Sequence, residues 1–300
     1  MTRPVAVVTG AARGIGLETA RRLAATHRVA LLDLDGPGAE RAGRAIGGDA
    51  VWAACDITDR DAVAAAVSYV VQRCGGIDVA IANAGIATAG ALRHLDPDVL
   101  AAQLNVNLVG NWRFVHACLP HVVERRGYVL GVASAAAIVA PVGLGAYAAS
   151  KAGLEHLLAV LRTEVAHLGV DVGVAYFSFV DTDMVRGAGE HHRAFGELRA
   201  GIRAPLARTL PVGVAADAIV AAVHGRARTV SAPGFVRPAR WLRGLIAPLA
   251  DRDGRRHAPA IDRATAEMVA ERGAFAAGMR PGDLGAEAAA RTIVPQSPHD

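Results

Sequence analysis

The stretch Val5-Ala6-Val7-Val8-Thr9-Gly10-Ala11-Ala12-Arg13-Gly14-Ile15-Gly16, running straight into the helix-like Leu17–Ala25, decides how the rest of the chain is read. A short continuous apolar run fits a strand buried on both faces. The glycine-rich turn after it lets backbone N–H groups and the positive end of a helix approach a pyrophosphate without side chains in the way. Glycines alone could be ordinary turn chemistry; a strand before them and a helix after them are the context a dinucleotide site requires.

Outward from this unit the pattern repeats. Apolar runs recur at Arg28–Leu32, Ala50–Ala54, Asp78–Ala82, Tyr128–Ala133 and Asp171–Phe177, each separated from the next by a helix-length segment. This predicts an α/β doubly wound, Rossmann-type fold with a mostly parallel sheet between two helical layers. A seventh strand is expected at Arg228–Ala232, after the helix-like Ala215–Gly225. One domain is read over residues 1–250, with a C-terminal extension over 251–300 that is partly helical, around Ile261–Arg272, or disordered. The charged, histidine-containing segment 187–210 reads either as a substrate lid or as a surface loop with a helix in it.

Composition narrows the function. With 300 residues and 52% hydrophobic content the chain can bury a sizeable core, whereas 4% aromatics and a net charge of +4 do not make a nucleic-acid surface. Cys55, Cys74 and Cys118 lack disulfide or metal spacing, and the N-terminus enters a strand at once without a signal peptide; both point to the cytoplasm. No metal site is expected, since His191-His192 lacks helical or cysteine partners. Gly127–Ser150 carries no charge, but its glycines, proline and serines fit a strand, loop and helix start rather than a membrane span. The run Trp241–Leu249 packs on the domain, lines a substrate mouth or touches a membrane surface, and is too short for a strong anchor.

Tyr147 and Lys151 stand four residues apart in a helix-like segment, on one face. A phenol titrating near 10 needs a nearby cation to exchange protons at neutral pH, and Lys151 would supply it. Of 32 basic residues Lys151 is the sole lysine, placed where a compact ammonium serves better than a planar guanidinium. Ser134, ending a strand thirteen residues earlier, can return to the same place through a Pro- and Gly-containing loop. At the end of the second strand Asp33 can accept hydrogen bonds from ribose hydroxyls and repel a 2′-phosphate, favouring NAD. Arg13 beside the second glycine keeps NADP open, and Asp35 is a rival acceptor.

The spacing Gly10-x-x-x-Gly14-x-Gly16 after Thr9, with Tyr147-x-x-x-Lys151, resembles the short-chain dehydrogenase/reductase family over about residues 3–233. The resemblance implies a further set of roles: Asp56, with Ile57 beside it, at the adenine; Asn83-Ala84-Gly85 passing the adenine ring while the Asn amide braces the next strand; and Val180 and Thr182 near the nicotinamide. It also implies that Ser134 holds the substrate oxygen, Tyr147 transfers its proton, Lys151 binds the nicotinamide ribose, and Asn107, rather than Asn105, offers a backbone carbonyl to a water relay. The implied function is NAD(P)-dependent hydride transfer between nicotinamide and an alcohol or ketone, in a homodimer or homotetramer. Phe177-Ser178 replace the family's Pro-Gly pair, predicting a narrower, more apolar pocket, with Phe177, Phe179 and Val139–Leu144 favouring an apolar or bulky substrate. Two other readings remain: a non-catalytic nucleotide-binding regulator, and an epimerase or dehydratase on the same scaffold.

Overall fold

A computed structural model of the chain describes residues 3–273 apart from 192 and 203–206. The elements run β1 (Val5–Thr9), α1 (Gly14–Leu23), β2 (Arg28–Asp33), α2 (Gly36–Ile46), β3 (Val51–Ala54), α3 (Arg60–Cys74), β4 (Val79–Ala82), α4 (Pro97–Leu104), α5 (Asn111–Glu124), β5 (Tyr128–Val132), α6 (Gly145–Val165), β6 (Asp171–Phe177), α7 (Asp183–His191), α8 (Arg193–Gly201), α9 (Val212–Gly225), β7 (Thr229–Ala232), α10 (Val236–Trp241) and α11 (Arg243–Arg272). The seven strands form one sheet in the order β3-β2-β1-β4-β5-β6-β7, every neighbouring pair parallel. The order reverses between β1 and β4, so a crevice opens outside their carboxyl ends, where open α/β sheets bind ligands.

Strand alternation builds two cores. Val5 and Val7 of β1 join Val129 of β5 and Val172, Val174 and Tyr176 of β6 in a cluster with residues of α3, α5 and α6. The intervening Ala6, Val8, Leu130, Ala175 and Phe177 face the other layer, with Ala20 and Leu23 of α1 and Ala215 and Ile219 of α9. Strands buried on both sides read as the unbroken apolar runs seen in the sequence.

The helix expected at Ile261–Arg272 is the second half of α11. Helix α11 passes through residue 250 without interruption, despite Pro248 and Pro259. Its buried Ile261 and Ala264 join Ala194, Phe195 and Leu198 of α8 in a third apolar cluster. Segment 187–210 contributes the end of α7 and all of α8, while 192 and 203–206 within it, like 274–300 of the C-terminal extension, lie outside the described residues.

Candidate active site

The turn after β1 is shaped by close contacts at Gly10 and Gly16 and by positive φ at Gly10 and Gly14. Gly10 and Gly14 sit at φ +65° and +58°, and a Cβ on Gly16 would lie 2.2 Å from the Gly10 carbonyl oxygen. Helices α2, α3 and α4 are each capped by an aspartate side chain, from Asp35, Asp59 and Asp96. Helix α1, entered through Arg13 as its N-cap residue, has no side-chain cap and no carboxylate in its first turn, with Ile15 second in that turn. Its first amides are therefore presented outward, and the residues present fit an anionic diphosphate.

Thr9 and Asn83 tie β1 to β4. The amides of Asn83 and Ala84 donate to Thr9 Oγ1 at 3.0 and 3.1 Å, and Asn83 Nδ2 donates to the carbonyls of Thr9 and Gly10 at 2.9 and 3.2 Å. Asp33 ends β2 and accepts from the amides of Ala12 and Asp35, both at 2.9 Å, which fixes its carboxylate beside the turn. Burial raises the Asp33 pKa, partly offset by those two hydrogen bonds and by Arg13. The rival Asp35 is engaged as the α2 cap, accepting from Gly38 N at 2.9 Å. Asp56, past the end of β3, accepts from Thr58 N and Oγ1 at 2.8 and 2.7 Å, and Ile57 beside it is buried.

Tyr147 and Lys151 lie on the first two turns of α6. Lys151 is 3% exposed and donates to the Val132 carbonyl at the end of β5 at 2.8 Å; its Nζ is 5.9 Å from the Tyr147 ring centroid. Burial lowers the ammonium pKa to about 8. The Ser134 hydroxyl donates to the Phe177 carbonyl at 3.5 Å and accepts from Ala136 N at 3.1 Å, and it faces the Tyr147 phenol closely enough to draw its pKa down. The phenol is pushed above its ordinary value by burial, and the offset comes from Ser134. The sequence reading expects Lys151 to lower it; in the structure the lowering comes from Ser134, while Lys151 Nζ donates to the Val132 carbonyl.

Asn107 occupies a π-helical turn, Asn105–Gly110, between α4 and α5, a widening that often marks functional sites. Its Oδ1 accepts from Ile86 N at 2.8 Å, and its Nδ2 donates to Ile86 O at 2.8 Å and Ser150 Oγ at 3.0 Å. Asn105, by contrast, accepts from the Arg113 guanidinium. A Cβ on Gly85 would meet Asn107 Oδ1 at 3.0 Å and Lys151 Nζ at 3.3 Å, so the β4 end, the π-turn and α6 converge there. Sequence reasoning passed over Ser150, which donates to Tyr147 O at 2.7 Å, and Asn111, which donates to Ala84 O and Asn107 O at 2.9 and 3.0 Å. The four-residue spacing Asn107–Asn111 was a visible sign of the latter.

Beyond β6, Val180 bridges Leu210 and Thr182 approaches the first turn of α1: a Cβ on Gly14 would be 3.5 Å from Thr182 Cγ2. Phe177 is not at the pocket as the sequence suggested; it is the last residue of β6 and buried in the core against α1 and α9. Phe179 takes the aromatic position, edge-on to Phe195 with centroids 5.9 Å apart. Together with Tyr147 and Val142 it packs on the cluster formed by Leu144, Phe195, Leu198 and Ile261, so α8 and α11 wall the phenol with apolar side chains.

A family profile described as short chain dehydrogenase matches residues 4–193. The chain is 33% identical over 218 residues to cis-4-hydroxycyclohexanecarboxylate dehydrogenase of Sinomonas cyclohexanicum, covering 70% of this chain and 82% of that protein. It is 32% identical over 182 residues to 3-hydroxyacyl-CoA dehydrogenase type-2 of Rattus norvegicus, covering 56% and 70%. Among solved structures, the 3-ketoacyl-(acyl-carrier-protein) reductase of Brucella melitensis, complexed with NADH, superimposes with a TM-score of 0.69 at 26% identity, over 77% of this chain and 97% of that one.

Proposed function

The chain belongs to the short-chain dehydrogenase family of nicotinamide-dependent oxidoreductases, and from that premise we propose that it oxidises an apolar or bulky secondary alcohol, or reduces the matching ketone, using NAD. The observation that carries this reading is the grouping of Ser134, Tyr147 and Lys151 at the carboxyl end of β5, beside Gly85 and Asn107. Gly10, Arg13, Gly14, Ile15, Gly16, Asp33, Asp56, Ile57, Asn83, Ala84, Gly85, Tyr147, Lys151, Val180 and Thr182 would hold the cofactor, with Asp33 preferring NAD over NADP. When bound, NAD supplies the hydride acceptor.

Ser134 donates to the substrate oxygen and fixes its position. Tyr147 gives or takes the proton at that oxygen. Lys151, an ammonium with a pKa near physiological pH, binds ribose hydroxyls and feeds protons toward solvent through Asn107. The apolar wall of Phe179, Phe195, Leu198 and Ile261 excludes water and favours a hydrocarbon-rich substrate. A single domain over 1–250 with an extension over 251–300 and a homodimer or homotetramer belong to the same reading, as does a cytoplasmic location, which free Cys55, Cys74 and Cys118 support.

The test is NADH absorbance across a panel of alicyclic and long-chain secondary alcohols and ketones, with wild type and Ser134→Ala. Turnover with at least one member, reduced in Ser134→Ala, is the expected result. Tight nucleotide binding without turnover on any member contradicts the reading, and a clear preference for NADPH overturns the cofactor choice.

A further inference from the structure

Helices α10 and α11 hold apolar side chains that neither a core nor the candidate site absorbs. Trp241 is 78% exposed, Leu245 73%, Leu249 67% and Leu242 48%. Leu242, Leu245 and Leu249 follow a spacing of three and four residues, and Arg252 and Arg256 continue it, so the five share one side of the helix. Ile261, Ala264 and Met268, in the later turns of the same helix, are buried. Glu155 of α6, itself buried, lies 3.5 Å from Arg240 Nε and 3.8 Å from Arg243 Nη1, fixing the α10–α11 junction with Trp241 outward.

The charge around the stripe is one-sided. Between Val236 and Arg256 the chain carries Arg237, Arg240, Arg243, Arg252, Arg255 and Arg256 against only Asp251 and Asp253. Among the described residues Arg237, Arg252, Arg255 and Arg256 form no ion pair and are exposed.

We propose that this face docks the enzyme on an anionic lipid bilayer, with Trp241, Leu242, Leu245 and Leu249 entering the headgroup boundary and the arginines meeting lipid phosphates. Indole rings favour that boundary, and a helix with leucines beside arginines binds in the plane of the surface. No helix among the described residues is long and apolar enough to cross a membrane, and a short apolar stripe of this size inserts only to the headgroup boundary. A second copy of the chain is the rival occupant, and charge opposes it: a two-fold contact brings together two patches of the same net positive sign. A nucleic acid would engage the arginines but leave the leucines wet, with Trp241 the one aromatic in the stripe. The docking helix also brings Ile261 and Ala264 to the apolar wall beside Tyr147, a placement suited to substrates that partition into lipid. The docking itself stands independently of the proposed reaction.

The experiment is co-sedimentation of the full chain with phosphatidylcholine vesicles, with and without phosphatidylglycerol, alongside Leu245→Glu/Leu249→Glu and Arg252→Glu/Arg256→Glu. Wild type pellets with the phosphatidylglycerol vesicles, less so as salt rises, and stays in solution with phosphatidylcholine alone. The leucine variant loses at least about tenfold in partitioning and the arginine variant about tenfold or more, while NADH affinity and light-scattering mass hold in both. Wild type remaining in the supernatant with anionic vesicles overturns the proposal. A leucine variant that still pellets but has a smaller light-scattering mass also overturns it, and assigns the face to self-association.

Discussion

At the β1–β4 end of the sheet's carboxyl edge the side chains are small, and the structure is held by hydrogen bonds: Asn83 to the Thr9 and Gly10 carbonyls, Asp33 to the Ala12 and Asp35 amides. At the β6–β7 end the corresponding place is taken by large apolar side chains, Phe179 on Phe195 and Ile261 against α8, contributed by segments distant in sequence. In the proposed reading the first half, made of backbone, would hold a cofactor common to many enzymes, and the second, made of side-chain packing, the substrate particular to this one. A substitution in one half is thus expected to move a different observable from a substitution in the other.

The largest effect is expected in the packed half. Phe195→Ala removes a ring that is 5% exposed and costs about 3 kcal/mol in urea unfolding, with NADH affinity unchanged; undiminished stability would break the contrast. Lys151 sits between the halves and gives a pH signature. Its folded pKa of about 8 lies below the ordinary 10.5, so below pH 8 the folded state bears the full cost of a buried ammonium. As pH rises from 8 to 10.5 the unfolded chain binds more protons than the folded one, so this group's contribution to stability increases by roughly 3 kcal/mol. Denaturation midpoints of wild type minus Lys151→Met across that window measure it, and a flat difference would contradict it.

In the backbone half, Gly16→Ala forces a Cβ onto the Gly10 carbonyl and is expected to weaken NADH binding by about a hundredfold, nearly 3 kcal/mol. Asp33→Asn should have the smallest consequence, relaxing the preference for NAD over NADP by about tenfold. An unchanged ratio of the two dissociation constants would remove Asp33 from cofactor choice.

The same contrast explains what could be read from the sequence. The strands were legible because two-sided burial leaves unbroken apolar runs, and the turn because a Cβ on Gly10 or Gly16 would collide and Gly10 and Gly14 take positive φ. Lys151 stood out by being the sole lysine. Phe177 was misplaced because an aromatic at a strand end carries no sign of which sheet face it joins; one residue of register separates core from pocket. The wall from α8 and α11 was hidden, since Phe195 and Ile261 meet only through tertiary packing. The π-turn around Asn107 was hidden as well, because one extra residue in a helical turn leaves no periodic trace over so short a span.

The most direct test of the central claim, that Ser134, Tyr147 and Lys151 converge beside a bound dinucleotide, is to measure NADH affinity and turnover in one preparation of Tyr147→Phe. NADH affinity within about twofold of wild type together with a turnover loss of about a thousandfold or more is the expected pair. Undiminished turnover would contradict the assignment of the proton to the Tyr147 phenol and, with it, the enzymatic account of the site.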